Sequence, residues 1–316
     1  MTPVRIGAVA AHFGRDVGRT LAKLEAMLAG ARRDGTDLLV LPGATIGGYV
    51  PDLQHPWAAG HSRTPGAQDL PPAFALDDAI VDQVRRLAGP MVICFGFCEL
   101  EDGLRYNTAL AVSGDGVLGR HRKVHQPLGE VAAYAAGDRF AAFDTPVGRM
   151  GMLIDYDKTF PESARSLALD GAQVVAALSA WPASVTNRAE RLGDDRQARL
   201  FDLYDAARAA ENQVVWVSSN QTGVFGDLRF LGQAKVVDPA GRALARTGTK
   251  GGLAAVELDV AAEVARARRL LHHLVERRPA AYGPVTDADR ADADRAEADR
   301  AEAARAGADR VDGARR

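Results

Sequence analysis

Apolar positions along this chain switch repeatedly between two periods. Val4–Val9 is a short apolar run that predicts a strand, and Val17, Leu21, Leu24, Leu28 and Ala31 then recur at spacings of three and four, which predicts an amphipathic helix ended by Gly35. Leu38–Leu41 predicts a buried strand; Ile80, Val81, Val84 and Leu87 predict a second helix; and Met91–Cys98 is another buried strand. Asn107–Val112 and Val117–Val124 follow as strands, joined at Ser113–Gly116, where Gly-Asp-Gly predicts a hairpin. Arg149–Ile154 and Gln173–Leu178 read as strands, with a helix between them opened by Pro161, a residue suited to the first helical position. A long helix from about Asn187 to Asn212, strands over 214–219, 234–238 and 253–258, and a last helix over 260–275 complete the pattern. Helices covering mixed sheets predict an α/β sandwich.

The pattern stops after Tyr282. From Thr286 onward arginine falls at 290, 295, 300, 305, 310 and 315 among alanines and aspartates. A five-residue period advances about 140° per repeat on an α-helix, so these arginines spiral around it and leave no apolar stripe to dock. The expected organisation is one domain over residues 1–284 and a low-complexity Ala/Asp/Arg tail over 285–316, disordered or transiently helical. A neutral extension is favoured over an interaction arm on composition.

Composition narrows the function classes. The chain has 316 residues, 47% of them hydrophobic, and a net charge of -2. With 39 basic residues against 41 acidic ones it lacks the basic surface that phosphate neutralisation needs, so nucleic acid is not the expected partner. No apolar run approaches the roughly 20 residues of a membrane span, and the N-terminus lacks a basic stretch followed by an apolar one, so no membrane partner is expected. Cys94 and Cys98 fall in one apolar run and read as small buried hydrophobes of a reducing, cytoplasmic protein. The pair His272–His273 lacks metal-ligand spacing, and Gly223 and Gly226 form no phosphate-cradling loop, so neither metal nor cofactor is expected.

Several segments, in order and in register, carry a resemblance. They are Asp37–Pro42 with Gly48 and Tyr49, Tyr106–Ala109, Arg122–His125, Gly129 with Glu130, Phe143–Ile154 running into Tyr156 and Asp157, Phe160–Glu162, Ser179–Pro182, Ala207–Gln213 and Val236–Gly241. Together they resemble the nitrilase, or carbon-nitrogen hydrolase, superfamily over nearly all of residues 4–260. The resemblance implies a four-layer α-β-β-α sandwich, usually assembled into homodimers or larger homo-oligomers, and a small-molecule substrate: an amide, a carbamoyl compound or a nitrile. It also implies a site in which a cysteine attacks the substrate carbon, a glutamate relays its proton, and a lysine, commonly helped by a second glutamate, stabilises the developing charge.

Matched residue by residue, the lysine is Lys123 and the second glutamate is Glu130, but the first glutamate's place after Pro42 is held by Gly43, and the cysteine's place before Tyr156 by Asp155. The number of carboxylates is unchanged: one has moved from the base position to the nucleophile position. A buried lysine without a counter-charge is costly, so Asp155 compensates for the loss at Gly43. Gly43 is also expected to leave open space for water or a ligand group. Tyr49, Tyr156 and Trp181 stay in pattern as expected substrate contacts, and His125, two residues beyond Lys123 on a predicted strand, is expected to point the same way toward the pocket rim.

Asp155 then has three candidate roles: general acid or base with Lys123, an electrostatic clamp for a cationic amine or amidinium, or a carboxylate nucleophile. The first is the sharpest, because an acyl anhydride is itself high in energy. The competing reading is a pseudoenzyme in which Lys123 and Asp155 form a structural salt bridge and the scaffold binds a ligand or partner.

Overall fold

The computed structural model describes residues 3–53 and 69–282. In chain order the elements are β1 (Val4–Ala11), α1 (Val17–Arg33), β2 (Leu38–Val40), β3 (Ala73–Phe74), α2 (Ala79–Ala88), β4 (Val92–Glu101), β5 (Leu104–Ser113), β6 (Gly116–Arg122), β7 (Phe143–Thr145), β8 (Gly148–Ile154), α3 (Pro161–Leu169) and β9 (Val174–Ser179). They are followed by α4 (Arg196–Asn212), β10 (Val215–Gln221), the small ribbon β11 (Val224–Phe225) and β12 (Leu228–Arg229), then β13 (Lys235–Val237), β14 (Ala243–Arg246), β15 (Gly252–Leu258) and α5 (Val260–Arg268).

Strand pairing arranges two sheets. One runs β6-β5-β4-β2-β1-β15 and the other β7-β8-β9-β10-β13-β14. They join at one corner, where Ala10 and Ala11 of β1 pair in parallel with Asn220 and Gln221 of β10. The period-two alternation of side chains then decides the layers. Ile6, Ala8, Val40, Val92 and Cys94 from the first sheet meet Met152, Ile154, Val174, Ala176 and Val217 from the second in one core. The opposite faces bury Val9, Leu39, Ile93 and Phe95 under Leu24, Leu28, Val81 and Val84 of α1 and α2, and Leu153, Val175, Ala177 and Trp216 under Leu167 of α3 and Ala209 of α4. Three apolar interfaces between four layers make an α-β-β-α sandwich.

Most elements lie where the apolar pattern predicts them, and the hairpin at Ser113–Gly116 closes β5 onto β6 with those two residues paired. Two helix boundaries differ. The long helix starts at Arg196 instead of about 187, because the Asp195 carboxylate caps it through Gln197 N at 2.8 Å and binds Ser184 N, Ser184 Oγ and Ala189 N, which holds 184–189 as a loop. The last helix stops at Arg268 instead of 275. Gln213 Nε2 takes the carbonyls of Ala267 and Leu271, and Gln213 Oε1 accepts from His273 N, so that side chain organises an irregular turn.

One compact unit extends to Leu274 and a second begins at Val275. Of the second, the described residues hold a 3₁₀ turn at Pro279–Ala281 and a hydrogen bond from Arg278 N to the Tyr282 hydroxyl. The expected tail over 285–316 lies outside the described residues. Among the described residues no helix is long and apolar enough to cross a membrane.

Candidate active site

The parallel strands β2, β9 and β8, together with β6, deliver their carboxyl ends to one region, the place where open α/β sheets gather functional loops. Lys123 follows β6, with its N–H on the Asn107 carbonyl of β5 at 2.8 Å. Asp155 follows β8 on a sharp turn with φ of 43°, a left-handed conformation that aspartate tolerates better than most residues and that costs about 1 kcal/mol or more. Glu130 sits in a 3₁₀ turn, Leu128–Ala132, and Tyr49 on the loop that leaves β2.

These four side chains converge. Lys123 Nζ donates to Glu130 Oε2 at 2.5 Å and to Asp155 Oδ2 at 3.3 Å. Glu130 Oε1 accepts from the Tyr49 hydroxyl at 2.6 Å and from Asn107 Nδ2 at 3.2 Å. Asp155 Oδ1 accepts a hydrogen bond from Ala180 N, just past β9. Lys123 and Glu130 are 0% exposed and Asp155 is 5% exposed.

Burial sets the proton affinities. It raises the Glu130 and Asp155 carboxyls above the usual range, and the Lys123 ammonium only partly offsets it. Burial alone lowers the lysine, but the two carboxylates outweigh it and hold Lys123 above its ordinary value. Tyr49 is raised well above the phenol range by burial and by the Glu130 charge. The two carboxylates differ in what holds them. Glu130 has three donors, which oppose burial and favour its ionised form, and is sealed from solvent; Asp155 has two, one of them long, and lines the cavity. Asp155 is therefore the carboxyl placed to exchange a proton.

The cavity has a volume of about 740 Å³ and is lined by the buried Tyr49, Lys123, Asp155 and Trp181, by the exposed Tyr156, and by Ser184–Asn187, Arg196 and Gln197 from the loop and the start of α4. Trp181 is fixed by its N–H on Asn220 Oδ1 at 2.8 Å and its indole N–H on Gln197 Oε1 at 3.0 Å.

Two sequence expectations are corrected by this geometry. His125 does not line the cavity: the strand ends at Arg122, and the imidazole turns to Asp157, with Nδ1 2.9 Å from Oδ1, and stacks on Phe160 at 3.8 Å. Gly43 has no open space beside it, since a β-carbon there would stand 3.1–3.2 Å from main-chain atoms of Leu178, Ser179 and Ala180.

Sequence reasoning missed several supports. Asp157 binds His121 Nε2 at 2.8 Å, His125 N and Nδ1, Val124 N and Ile154 N, tying the Lys123 segment to the Asp155 turn. Those contacts outweigh burial and hold its carboxyl well below the usual range. Behind Trp181, Lys158 is fully buried on Asp205 at 2.7 Å and over the Phe201 ring at 3.2 Å, with Lys235 on the other Asp205 oxygen at 2.7 Å. Asp157 and Lys158 lie in a segment already singled out by the sequence, but their partners come from elsewhere in the chain, so nothing local reveals them.

Residues 5–268 match the family model described as carbon-nitrogen hydrolase. An (R)-stereoselective amidase from a Pseudomonas species is 32% identical over 80% of this chain and 83% of its own length. A nitrilase from Pyrococcus abyssi is 28% identical over 77% and 84% respectively. Among solved structures, a glutamate-to-glutamine variant of the amidase from Nesterenkonia sp. AN1, with an acetamide moiety added covalently at its active-site cysteine, matches at TM-score 0.68 and 25% identity, covering 88% of this chain and 95% of that one. A carbon-nitrogen hydrolase from Helicobacter pylori G27 shares the fold at TM-score 0.73 and 22% identity, covering 89% and 97%. Layer architecture, matched length and relatives agree: the chain belongs to the carbon-nitrogen hydrolase family of the nitrilase superfamily.

Proposed function

We propose that this protein is an enzyme acting on a small nitrogen-containing molecule, an amide, nitrile, amidine or amine, through acid/base chemistry of Asp155, Lys123 and Glu130 in place of thiol addition. The observation that carries the reading is an Asp155 carboxylate on the cavity wall, 3.3 Å from Lys123 Nζ, and the sequence resemblance gives that position to the family's cysteine. The two cysteines cannot stand in. Cys94 lies in the core between the sheets, and Cys98, four residues further along β4, packs against Ala44 and Tyr134.

In the hydrolytic form, Asp155 as carboxylate removes a proton from a water molecule as its oxygen bonds to the substrate carbon. Lys123 stabilises the charge that develops on the oxygen or nitrogen. As the C–N bond of an amide breaks, Asp155 returns the proton to the departing nitrogen. Glu130 keeps Lys123 charged and in place throughout. Cyclisation and dehydration use the same two proton transfers in a different order. The relatives named as an amidase and a nitrilase support the substrate class. Two free, buried cysteines support a reducing, cytoplasmic setting, and a homodimer or larger homo-oligomer follows the family habit.

One observation favours a second reading. Lys123, Glu130 and Asp155 already satisfy one another, and main chain fills the space beside Gly43, as a structural salt bridge in a ligand-binding pseudoenzyme requires. Asp155→Asn and Lys123→Met separate the two. The enzyme reading expects each to lower turnover of amides, nitriles or amidines by about 100-fold or more with the fold intact by circular dichroism. Full activity in both variants removes it. No turnover in the parent protein, with ligand binding that survives both substitutions, establishes the pseudoenzyme.

A further inference from the structure

Gly43 does not need to be glycine for its own backbone. Its φ lies outside the left-handed region, unlike Gly47 and Gly48 at 83° and 71° on the same loop. What it lacks is room. A β-carbon at Gly43 would stand 3.1 Å from Ser179 C, 3.2 Å from Ala180 N and 3.2 Å from Leu178 O. Ala180 N is the atom whose hydrogen bond fixes Asp155 Oδ1.

The loop carrying Gly43 cannot retreat to make space. On its other side lies Gly96 of β4, where a β-carbon would already be 2.6 Å from Ala44 N and 3.0 Å from Gly43 Cα. Ile46 N binds Gly96 O at 3.0 Å, Ser219 Oγ binds Leu41 O at 2.7 Å, and Gln221 Nε2 binds Gly43 O at 2.9 Å. The loop is pinned on three sides, and Leu178 and Ser179 are held in β9 between β8 and β10, with Ser179 O also accepting from Gly43 N at 3.0 Å. A side chain at position 43 therefore finds its give at Ala180, past the paired strand, and shifts the Ala180 N–H by a few tenths of an ångström.

We infer that Gly43 is a positioning residue for Asp155: its missing side chain lets main chain 178–180 close onto the site, where the Ala180 N–H fixes the carboxylate that Lys123 meets from the other side. Glycine at 43 and aspartate at 155 are then one device, joined through a peptide N–H, and the exchange is steric as well as electrostatic. The inference rests on reading Asp155 as the acid/base group, but the mechanical coupling stands or falls separately.

The test replaces Gly43 by alanine and follows Asp155 directly. In protein labelled with ¹³C-aspartate, the Asp155 carboxyl resonance is the one lost in Asp155→Asn, and its titration midpoint is read in parent and Gly43→Ala. The ionisable groups around Asp155 are Lys123, Glu130, Tyr49, Tyr134 and Lys158, all unchanged in that comparison. Weakening of the Ala180 hydrogen bond raises the midpoint by up to about 1 pH unit, and where turnover exists it drops about 10-fold or more with its acidic limb moved up in pH. An unmoved midpoint, even with reduced thermal stability, overturns the inference. A raised midpoint in a parent protein without turnover upholds the coupling and removes the enzymatic reading alone.

If Gly43→Ala does not fold, Gly43→Ala with Asp155→Ala decides. Without an acceptor at 155 the Ala180 N–H has no carboxylate to hold and can shift, so that double variant folds with the Tm of Asp155→Ala. Failure of the double variant to fold shows that Gly43 is needed for a reason unrelated to Asp155 and overturns the inference.

Discussion

Lys123 Nζ stands 3.3 Å from Asp155 Oδ2 and 2.5 Å from Glu130 Oε2, so one buried ammonium is shared unequally by two buried carboxylates. The closer carboxylate is sealed from the cavity and the looser one lines it. In the proposed chemistry that inequality divides the labour: Glu130 keeps the lysine charged, and Asp155 takes and gives the proton. Four measurements check the surrounding machinery.

Glu130→Gln keeps the volume and the contacts to Tyr49 and Asn107 but removes the charge nearest Lys123. The lysine is then compensated only by the longer contact to Asp155. Urea denaturation is expected to show a loss of about 2–3 kcal/mol. Stability unchanged from the parent contradicts the role assigned to Glu130.

Lys158 reports on pH. Burial lowers its pKa from 10.5 to about 8 despite the Asp205 partner. Between those values the unfolded chain binds more protons at this site than the folded one, so its contribution to stability rises with pH from about 8 toward 10. Lys158→Met removes that slope. Equal slopes over this window in parent and variant refute the assignment.

Asp195 both caps α4 and holds the loop at the cavity mouth through Ser184 and Ala189. Asp195→Ala is expected to cost about 1–2 kcal/mol in denaturation and to raise KM more than it lowers kcat. A stability loss with KM unaltered would separate the cap from the mouth.

The cysteines are expected to be bystanders. Burial pushes the Cys94 thiol up to about 12 and raises Cys98 as well, partly opposed by Arg105. Iodoacetamide at neutral pH leaves turnover unchanged, as does Cys94→Ala with Cys98→Ala. Inactivation that tracks alkylation of either residue by mass spectrometry would restore a thiol mechanism.

How much of this was legible in the chain follows from the range of each interaction. Apolar periodicity is local, and it located β1, β2, β4, β5, β6, β8, β9, β10, β13 and β15 and the helices among them, because burying one face of each element is what the sequence pattern encodes; the short strands β3, β7, β11, β12 and β14 carry too little of that pattern to be read. The motifs around Lys123, Glu130 and Asp155 were likewise readable as a set, and the structure brings the three together. Boundaries governed by a side chain reaching elsewhere were not: Asp195 shortened one helix, and Gln213 organised the turn after another.

The sequence by itself determined the α/β class and the confinement of both cysteines to one core strand, and its resemblance to the nitrilase superfamily supplied the four layers and the charged groups of the candidate site. Only the tertiary structure decided which way those groups face. His125 turned from the cavity to Asp157 once the strand ended at Arg122, and Gly43 proved to be a close approach of main chain instead of a vacancy. The physical reason is that a hydrogen bond such as Ala180 to Asp155 joins residues 25 apart in sequence. Its partners are chosen by how strand ends meet, a relation that no local pattern of residues records.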